Sequence, residues 1–305
     1  MKSSDYSLTF ELKSLGLLLL IVSAPFFSFS QEPEKEDDID LLLDDLFFNE
    51  ERFIDDILES FNQVPFLYTS FVLNSNTYFT GRDSGIDQLN FTPQISYYHP
   101  SGFNISLSGL YYEEFTPNWD FTSVYLGYFK NIGKKEFLHF SLGYSHYFYS
   151  DGSSTFTNSL DGNIGIKNLN RTIGVNVYAS YLFGDDTAFQ LIPSIYAKVS
   201  LLKDEGFTLK FKPQVNAIIA QQTMALEELN NQTNENELVN YDIFNLLNTE
   251  LRLPIILTTK SWNVDLGYNI NFPNPVATET DLKTNGYFYF SVGYLINLKK
   301  GKIQS

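Results

Sequence analysis

In the stretch Leu89-Asn90-Phe91-Thr92-Pro93-Gln94-Ile95-Ser96-Tyr97, residues Leu89, Phe91, Pro93, Ile95 and Tyr97 share one face of an extended chain. Asn90, Thr92, Gln94 and Ser96 share the other, because successive side chains of a strand point to opposite sides. The same two-residue period runs through Phe103, Ile105, Leu107 against Asn104, Ser106, Ser108, and through Ile173, Val175, Val177, Ala179, Tyr181 against Gly174, Asn176, Ser180. Phe207, Leu209, Phe211, Val215 oppose Thr208, Lys210, Lys212, Gln214, and Trp262, Val264, Leu266, Tyr268, Ile270, Phe272 oppose Asn263, Asp265, Asn269, Asn271. Strands of soluble proteins are usually about 5 to 6 residues long, whereas a membrane-crossing strand needs about 9 to 11. These segments have the longer length.

Reading the whole chain this way predicts twelve strands, at 66–80, 86–98, 102–114, 118–131, 135–149, 156–168, 171–183, 187–202, 205–221, 240–257, 260–272 and 284–298. The connections alternate. Short ones fall at His99 to Ser101, Ile132 to Lys134, Leu169 to Asn170, Lys203 to Asp204 and Thr258 to Thr259, and the intervening ones are mostly longer, up to Gln222 to Val239 and Pro273 to Lys283. Short periplasmic turns and long external loops on an even number of strands are the pattern of an outer-membrane barrel. That pattern puts both termini in the periplasm. A soluble sandwich or lipocalin-like barrel also alternates, but twelve such strands would leave too much apolar surface in water.

Composition supports the reading and removes alternatives. The 305 residues hold 28 Phe and 20 Tyr, 43% hydrophobic residues, no Cys and a formal charge of −16. Without cysteine there is no disulfide framework, thiolate nucleophile or cysteine-held zinc, and the acidity argues against a nucleic-acid partner. No cofactor motif stands out.

The first thirty residues read as an address: Lys2 and Lys13 precede the apolar run Leu15 to Val22, and Ser28-Phe29-Ser30 supplies small residues before Gln31. This is a secretory signal peptide at 1–30 by pattern. The segment 31–63 is acidic, with thirteen carboxylates and two basic residues between Glu32 and Asn62, and with Ile39, Leu42, Leu43, Leu46, Phe47, Phe53, Ile54, Ile57, Leu58 and Phe61 at helical spacing. It predicts a short amphipathic helix ahead of the barrel at 64–305. That helix either packs with a solvated acidic face or serves as a plug or a dock for a periplasmic partner.

The last strand carries Ser291-Val292-Gly293-Tyr294-Leu295-Ile296-Asn297-Leu298. It resembles the signal read by the barrel-insertion machinery in bacterial outer-membrane β-barrel proteins, a polar residue, Gly two positions on, then two apolar positions, with Ser291, Gly293, Ile296 and Leu298 in those places. The tail Lys299 to Ser305 departs from it, since such proteins often end at the signal. The Phe/Tyr/Asn-rich wall and the Gln31 start are similar to barrels of the Bacteroidota. The resemblance implies an all-β, transmembrane, up-and-down antiparallel barrel in contact with outer-membrane lipid, and no substrate.

Chemistry-bearing residues are few. His99 falls in a turn, His139 has inward parity, and His146 has outward parity near the external end. Outer-membrane lipid hydrolases resemble a His-x-Ser arrangement on one strand, but two residues after His146 stands Phe148, and Ser150 is four residues away, roughly 13 Å along a strand. Lys198, Lys210, Lys212, Glu250, Arg252 and Asp265 all have inward parity and are expected to form a charged belt, either a paired wall filling or an anion-attracting constriction. Gly81 to Gly85 reads as a turn, and Met224 to Leu229 as a helical turn inside the ninth loop. Twelve strands lie between filled eight-stranded and open sixteen-stranded barrels. The expectation is therefore a narrow channel for small polar or anionic solutes, gated or plugged by the acidic helix. The alternatives are a non-conducting interaction barrel that holds a partner through its loops or helix, and, further off, a lipid hydrolase.

Overall fold

In a computed structural model of the chain, alternation becomes twelve antiparallel strands, β1 (Phe66–Asn74), β2 (Asn90–Tyr98), β3 (Phe103–Tyr112), β4 (Trp119–Ile132), β5 (Leu138–Tyr149), β6 (Asn158–Lys167) and β7 (Ile173–Phe183). They continue with β8 (Thr187–Ala197, then Val199–Lys203), β9 (Phe207–Phe211, then Gln214–Leu229), β10 (Asn236–Thr259), β11 (Trp262–Pro273) and β12 (Asn285–Asn297). The structure describes residues 65–83, 85–133, 137–229, 236–276 and 279–298, with only the backbone course at 222–229 and 236–243. The stretches read from the sequence as a signal peptide (1–30) and an acidic helix (31–63) lie outside the described residues.

Each strand pairs with its neighbours in sequence, and β1 pairs with β12 from Phe66 opposite Asn297 to Asn74 opposite Tyr289. The sheet therefore closes on itself and leaves no free edge along the seam. The twelve strands and short turns match those read from the sequence. Two places differ. The first strand stops at Asn74, and the chain then makes a small hairpin of its own, Tyr78–Phe79 with Arg82–Asp83. The Met224 to Leu229 helical turn is corrected: Gln222 to Leu229 runs on as β9, paired with β10 from Gln222 opposite Ile243 to Leu229 opposite Asn236. Ala, Leu and Glu favour a helix in isolation, but the established β9–β10 ladder offers each added residue ready-made backbone partners, and pairing wins.

The distribution of side chains is inverted relative to a water-soluble sheet. Every strand sends large apolar residues outward to the exposed surface, among them Phe71, Ile95, Phe103, Leu126, Leu142, Leu160, Ile173, Ile195, Val215, Ile255, Leu266 and Phe288. The buried interior is lined with Ser96, Ser106, Ser123, Ser145, Ser180, Asn216, Asn263 and Asn269. Phe103 and Leu142 are more than 60% exposed, at 63% and 62%. In water such a band would cost about 25 cal/mol for each Å². In a bilayer it is the required surface, and closure satisfies every backbone group that lipid cannot.

Candidate functional site: the lumen and its outer mouth

The interior has two unlike halves. On β2 to β7 the polar lining is mainly hydroxylic, between rims filled by Tyr98 and by Leu110, Tyr112, Phe121 and Tyr147: Ser108 and Ser123 hydroxyls meet at 2.7 Å, and Asp161 accepts from Ser159 (2.7 Å), Tyr178 (2.7 Å) and Ser180 (2.6 Å). On β9 to β12 it is bulky and charged. Gln214 Nε2 donates to Asn216 Oδ1 (2.7 Å), and Asn216 Nδ2 donates to Glu250 Oε2 (2.7 Å), which stands 3.9 Å from Arg252 Nε. Arg252 Nε also donates to Asn269 Oδ1 (3.3 Å), and its guanidinium lies over the Tyr289 ring, 5.2 Å from the centroid. The Tyr289 hydroxyl reaches both Asp265 oxygens at 3.1 Å. Strand alternation explains the grouping, since 250, 252, 265, 269 and 289 all have inward parity and sit on three neighbouring strands.

Of the six charged residues picked out from the sequence, Glu250, Arg252 and Asp265 are thus buried in one network. Lys198, Lys210 and Lys212 are half-buried, where β8 and β9 are interrupted at 198 and at 212–213. The Lys212 ammonium lies over the Tyr196 ring, 4.7 Å from its centroid, a favourable cation–π position. Ser291 and Gly293 face the interior, and Ile296 and Leu298 are exposed on the outside. His99 is exposed, its Nδ1 2.7 Å from Ser101 Oγ in the turn, and His139 is buried. His146 Nδ1 lies 2.9 Å from Asn158 Oδ1, with its ring edge-on to Phe148 at 4.6 Å. Among the described residues no group of three or more His, Cys, Asp or Glu is placed to hold a metal ion.

A closed, even-stranded, antiparallel wall with a lipid-facing exterior and a polar interior is the outer-membrane architecture. The described residues form a closed, twelve-stranded transmembrane β-barrel. No family model matches its sequence, and no curated protein does. Among solved structures it is similar to "KdgM porin" at 12% identity and a TM-score of 0.42, over 76% of this chain and 98% of that one. It is similar to "Crystal structure of the COG4313 outer membrane channel from Pseudomonas putida F1" at 10% and 0.45, over 77% and 96%. It is also similar to "LpxR from Salmonella typhimurium" at 10% and 0.38, over 75% and 99%.

The mouth of the barrel at the end away from Phe66 and Asn297 holds a feature that composition alone does not reveal. Thr80 and Gly81 have φ of 46° and 80°, the two positive values a tight two-residue hairpin turn needs, and they bend the Tyr78–Asp83 hairpin back towards the wall. Its roots are pinned: Asn74 Nδ2 donates to Asn90 Oδ1 (2.7 Å), Asn90 Nδ2 to Thr77 Oγ1 (2.8 Å), and Asn76 Nδ2 to Asp87 Oδ1 (2.8 Å). Its tip reaches across. Asn285 Nδ2 on β12 donates to Gly81 O (2.6 Å), and a Cβ added to Gly81 would lie 2.6 Å from the Asn248 side chain of β10. Asn248, Asn271 and Asn285 form a ladder of amides at 2.9 Å on β10, β11 and β12.

Tyr78 packs on Tyr287 at 5.9 Å. Burial, reinforced by the Asp83 carboxylate, pushes its phenol above the ordinary 10.0. A raised phenol pKa means that the closed hairpin favours the neutral form. That contribution is complete below pH 10.0 and is lost as the pH climbs through the raised value. In spectrophotometric titration Tyr78→Phe is expected to remove one late-ionising phenol, and subtilisin should cut the wild-type hairpin faster above pH 10.0 but not that of the variant.

Proposed function

We propose that the barrel is a narrow channel for small polar or anionic solutes, with both termini in the periplasm and the acidic segment 32–62 as its periplasmic plug. The observation that carries this reading is the state of the buried polar lining. Among the described residues, Ser96 Oγ, Asn104 Oδ1, Asn163 Oδ1, Asn176 Oδ1, both polar atoms of Gln190, Asn269 Nδ2 and Ser291 Oγ have no protein hydrogen-bond partner. Leaving one such group unpaired costs about 1–3 kcal/mol. They are buried in the structure, so the reading requires the lumen to widen enough to bring water or a polar solute to them, which would satisfy them. The half-buried lysines 198, 210 and 212 favour anions, and the carboxylates of 32–62 complement them in charge.

Single-channel conductance of the refolded mature protein, beside a version lacking residues 32–62, tests this reading. Discrete steps are expected, larger or more frequent without the segment. Silence from both, with folding and insertion demonstrated, would overturn it. It would favour the second reading, an interaction barrel, for which the observation is apolar filling at parts of the interior: Phe66, Tyr68, Tyr98 and Leu295 cluster near one rim, and Leu110, Tyr112, Phe121 and Tyr147 near the other. The insertion machinery, read through Ser291, Gly293, Ile296 and Leu298, is the partner proposed for assembly. We assign no enzymatic role. Lipid cleavage that disappears on His146→Ala would reverse that assignment.

A further inference from the structure

Four of the six hydrogen bonds that Arg82 donates go to distant parts of the barrel. Its Nε and Nη2 donate to the two oxygens of Glu279, each at 2.7 Å, in a bidentate pair whose side chains are 14% and 10% exposed. Nη2 also donates to Asn274 O (3.0 Å), and Nη1 to Thr80 O and Thr80 Oγ1 (both 3.2 Å) and to Leu247 O (3.4 Å). Glu279 is held ready by the Val276 N–H, which donates to its Oε2 at 2.8 Å. Leu247 is the extra residue of a β-bulge, because Ile218 pairs with Asn248 and Ile219 with Leu246. Such a residue drops out of the ladder and re-aims its groups, and here its carbonyl accepts from Arg82 and from Asn274 N (2.8 Å).

Around the wall the order from β1 is β12, β11, β10. A hairpin rooted on β1 and β2 that touches the inward Asn248 of β10 must therefore cross the mouth over β12 and β11. It is pinned at its roots and tied at its tip. The tip ties are the Arg82 fork, the Asn285 to Gly81 bond and the Tyr78 contact with Tyr287. A bidentate Arg–carboxylate pair is the strongest and most orientation-dependent of these.

We propose that the Tyr78–Asp83 hairpin is an external cap on the lumen, latched shut by the Arg82–Glu279 pair, and that loss of the pair swings the tip away and opens the mouth. The gating consequence rests on the channel reading; the latch itself does not. Arg82 is itself a trypsin site, which gives a readout independent of conductance.

Barrels in lipid vesicles, checked for folding by heat-modifiable gel mobility, are exposed to trypsin on the external face. Wild type is expected to resist cleavage after Arg82. Glu279→Gln should be cut there at least ten-fold faster and show a higher open probability in planar bilayers. Arg82→Lys keeps the charge and the trypsin site but loses the fork, and should fall between them. Equal protection of Glu279→Gln and wild type overturns the latch. Faster cleavage with unchanged open probability, in a wild type that conducts, overturns the gating role. Faster cleavage with no conductance from any variant instead sinks the channel reading and leaves the latch standing.

Discussion

Replacing Gly293 with valine is expected to abolish assembly of the barrel, read as loss of the heat-modifiable folded band and of protein recovered in the outer membrane. Gly293 stands at the β1–β12 seam, opposite Ser70, and faces the interior, where the Tyr68 phenol lies across it. A Cβ built there would run into the Tyr68 hydroxyl and ring far inside 3.0 Å, the limit that real Cβ atoms respect. Tyr68 cannot swing clear cheaply, because it is buried with Phe66, Val72, Tyr98 and Leu295, and Phe66 stacks on Tyr98 at 4.8 Å. Overpacking of this kind costs about 1–3 kcal/mol in an ordinary core. Here it also falls on the β1–β12 pairing that closes the barrel, so the cost bears on closure itself. Tyr68→Ala combined with Gly293→Ala separates the two roles that converge on this glycine. Recovery of folding in the double variant, relative to Gly293→Ala alone, would locate the requirement in the Tyr68 contact. No recovery would locate it in recognition of Ser291 to Leu298 by the insertion machinery.

The wall was legible because a membrane strand writes its geometry locally. Leu89 to Tyr97 needs only its own nine residues to show one apolar and one polar face, and closure then follows from twelve such segments with alternating connections. The ninth connection was not legible, because Met224 to Leu229 has the composition of a helix and its strand character comes from β10, which the segment itself does not encode. The Arg82 latch was less legible still. Gly81 to Gly85 reads as a turn, whereas the turn falls at Thr80-Gly81 and Arg82–Asp83 is the returning strand of the hairpin, and Arg82 finds its partner 197 residues away. The inward parity of Glu250, Arg252 and Asp265 was readable. Their joining through Tyr289 and Asn269 was not, since it depends on how far the tilt of β11 and β12 brings unlike rungs together.

Arg252→Met is the second change with a large expected effect, and it bears on what the charged half of the lumen does. Arg252 is the cation of a buried network with two carboxylates, Glu250 and Asp265, and its side chain is only 5% exposed. Removing one member of a buried ionic group strands the others, at about 3–5 kcal/mol. Methionine fills the volume without replacing the bond to Asn269 or the contact with the Tyr289 face. The variant should therefore unfold at clearly lower denaturant concentration in vesicles. Its channels should also shift towards cations in reversal-potential measurements, because Glu250 and Asp265 are left unopposed. Lys212→Gln supplies the contrast. Lys212 is half-buried over Tyr196, so its loss should leave stability within about 1 kcal/mol while weakening anion preference. If the two variants differ in this way, the buried network holds the wall and the lysines set the selectivity of the passage. If Arg252→Met loses stability while neither change moves the reversal potential, the charges are wall filling, and the lumen is a scaffold for the loops rather than a route through the membrane.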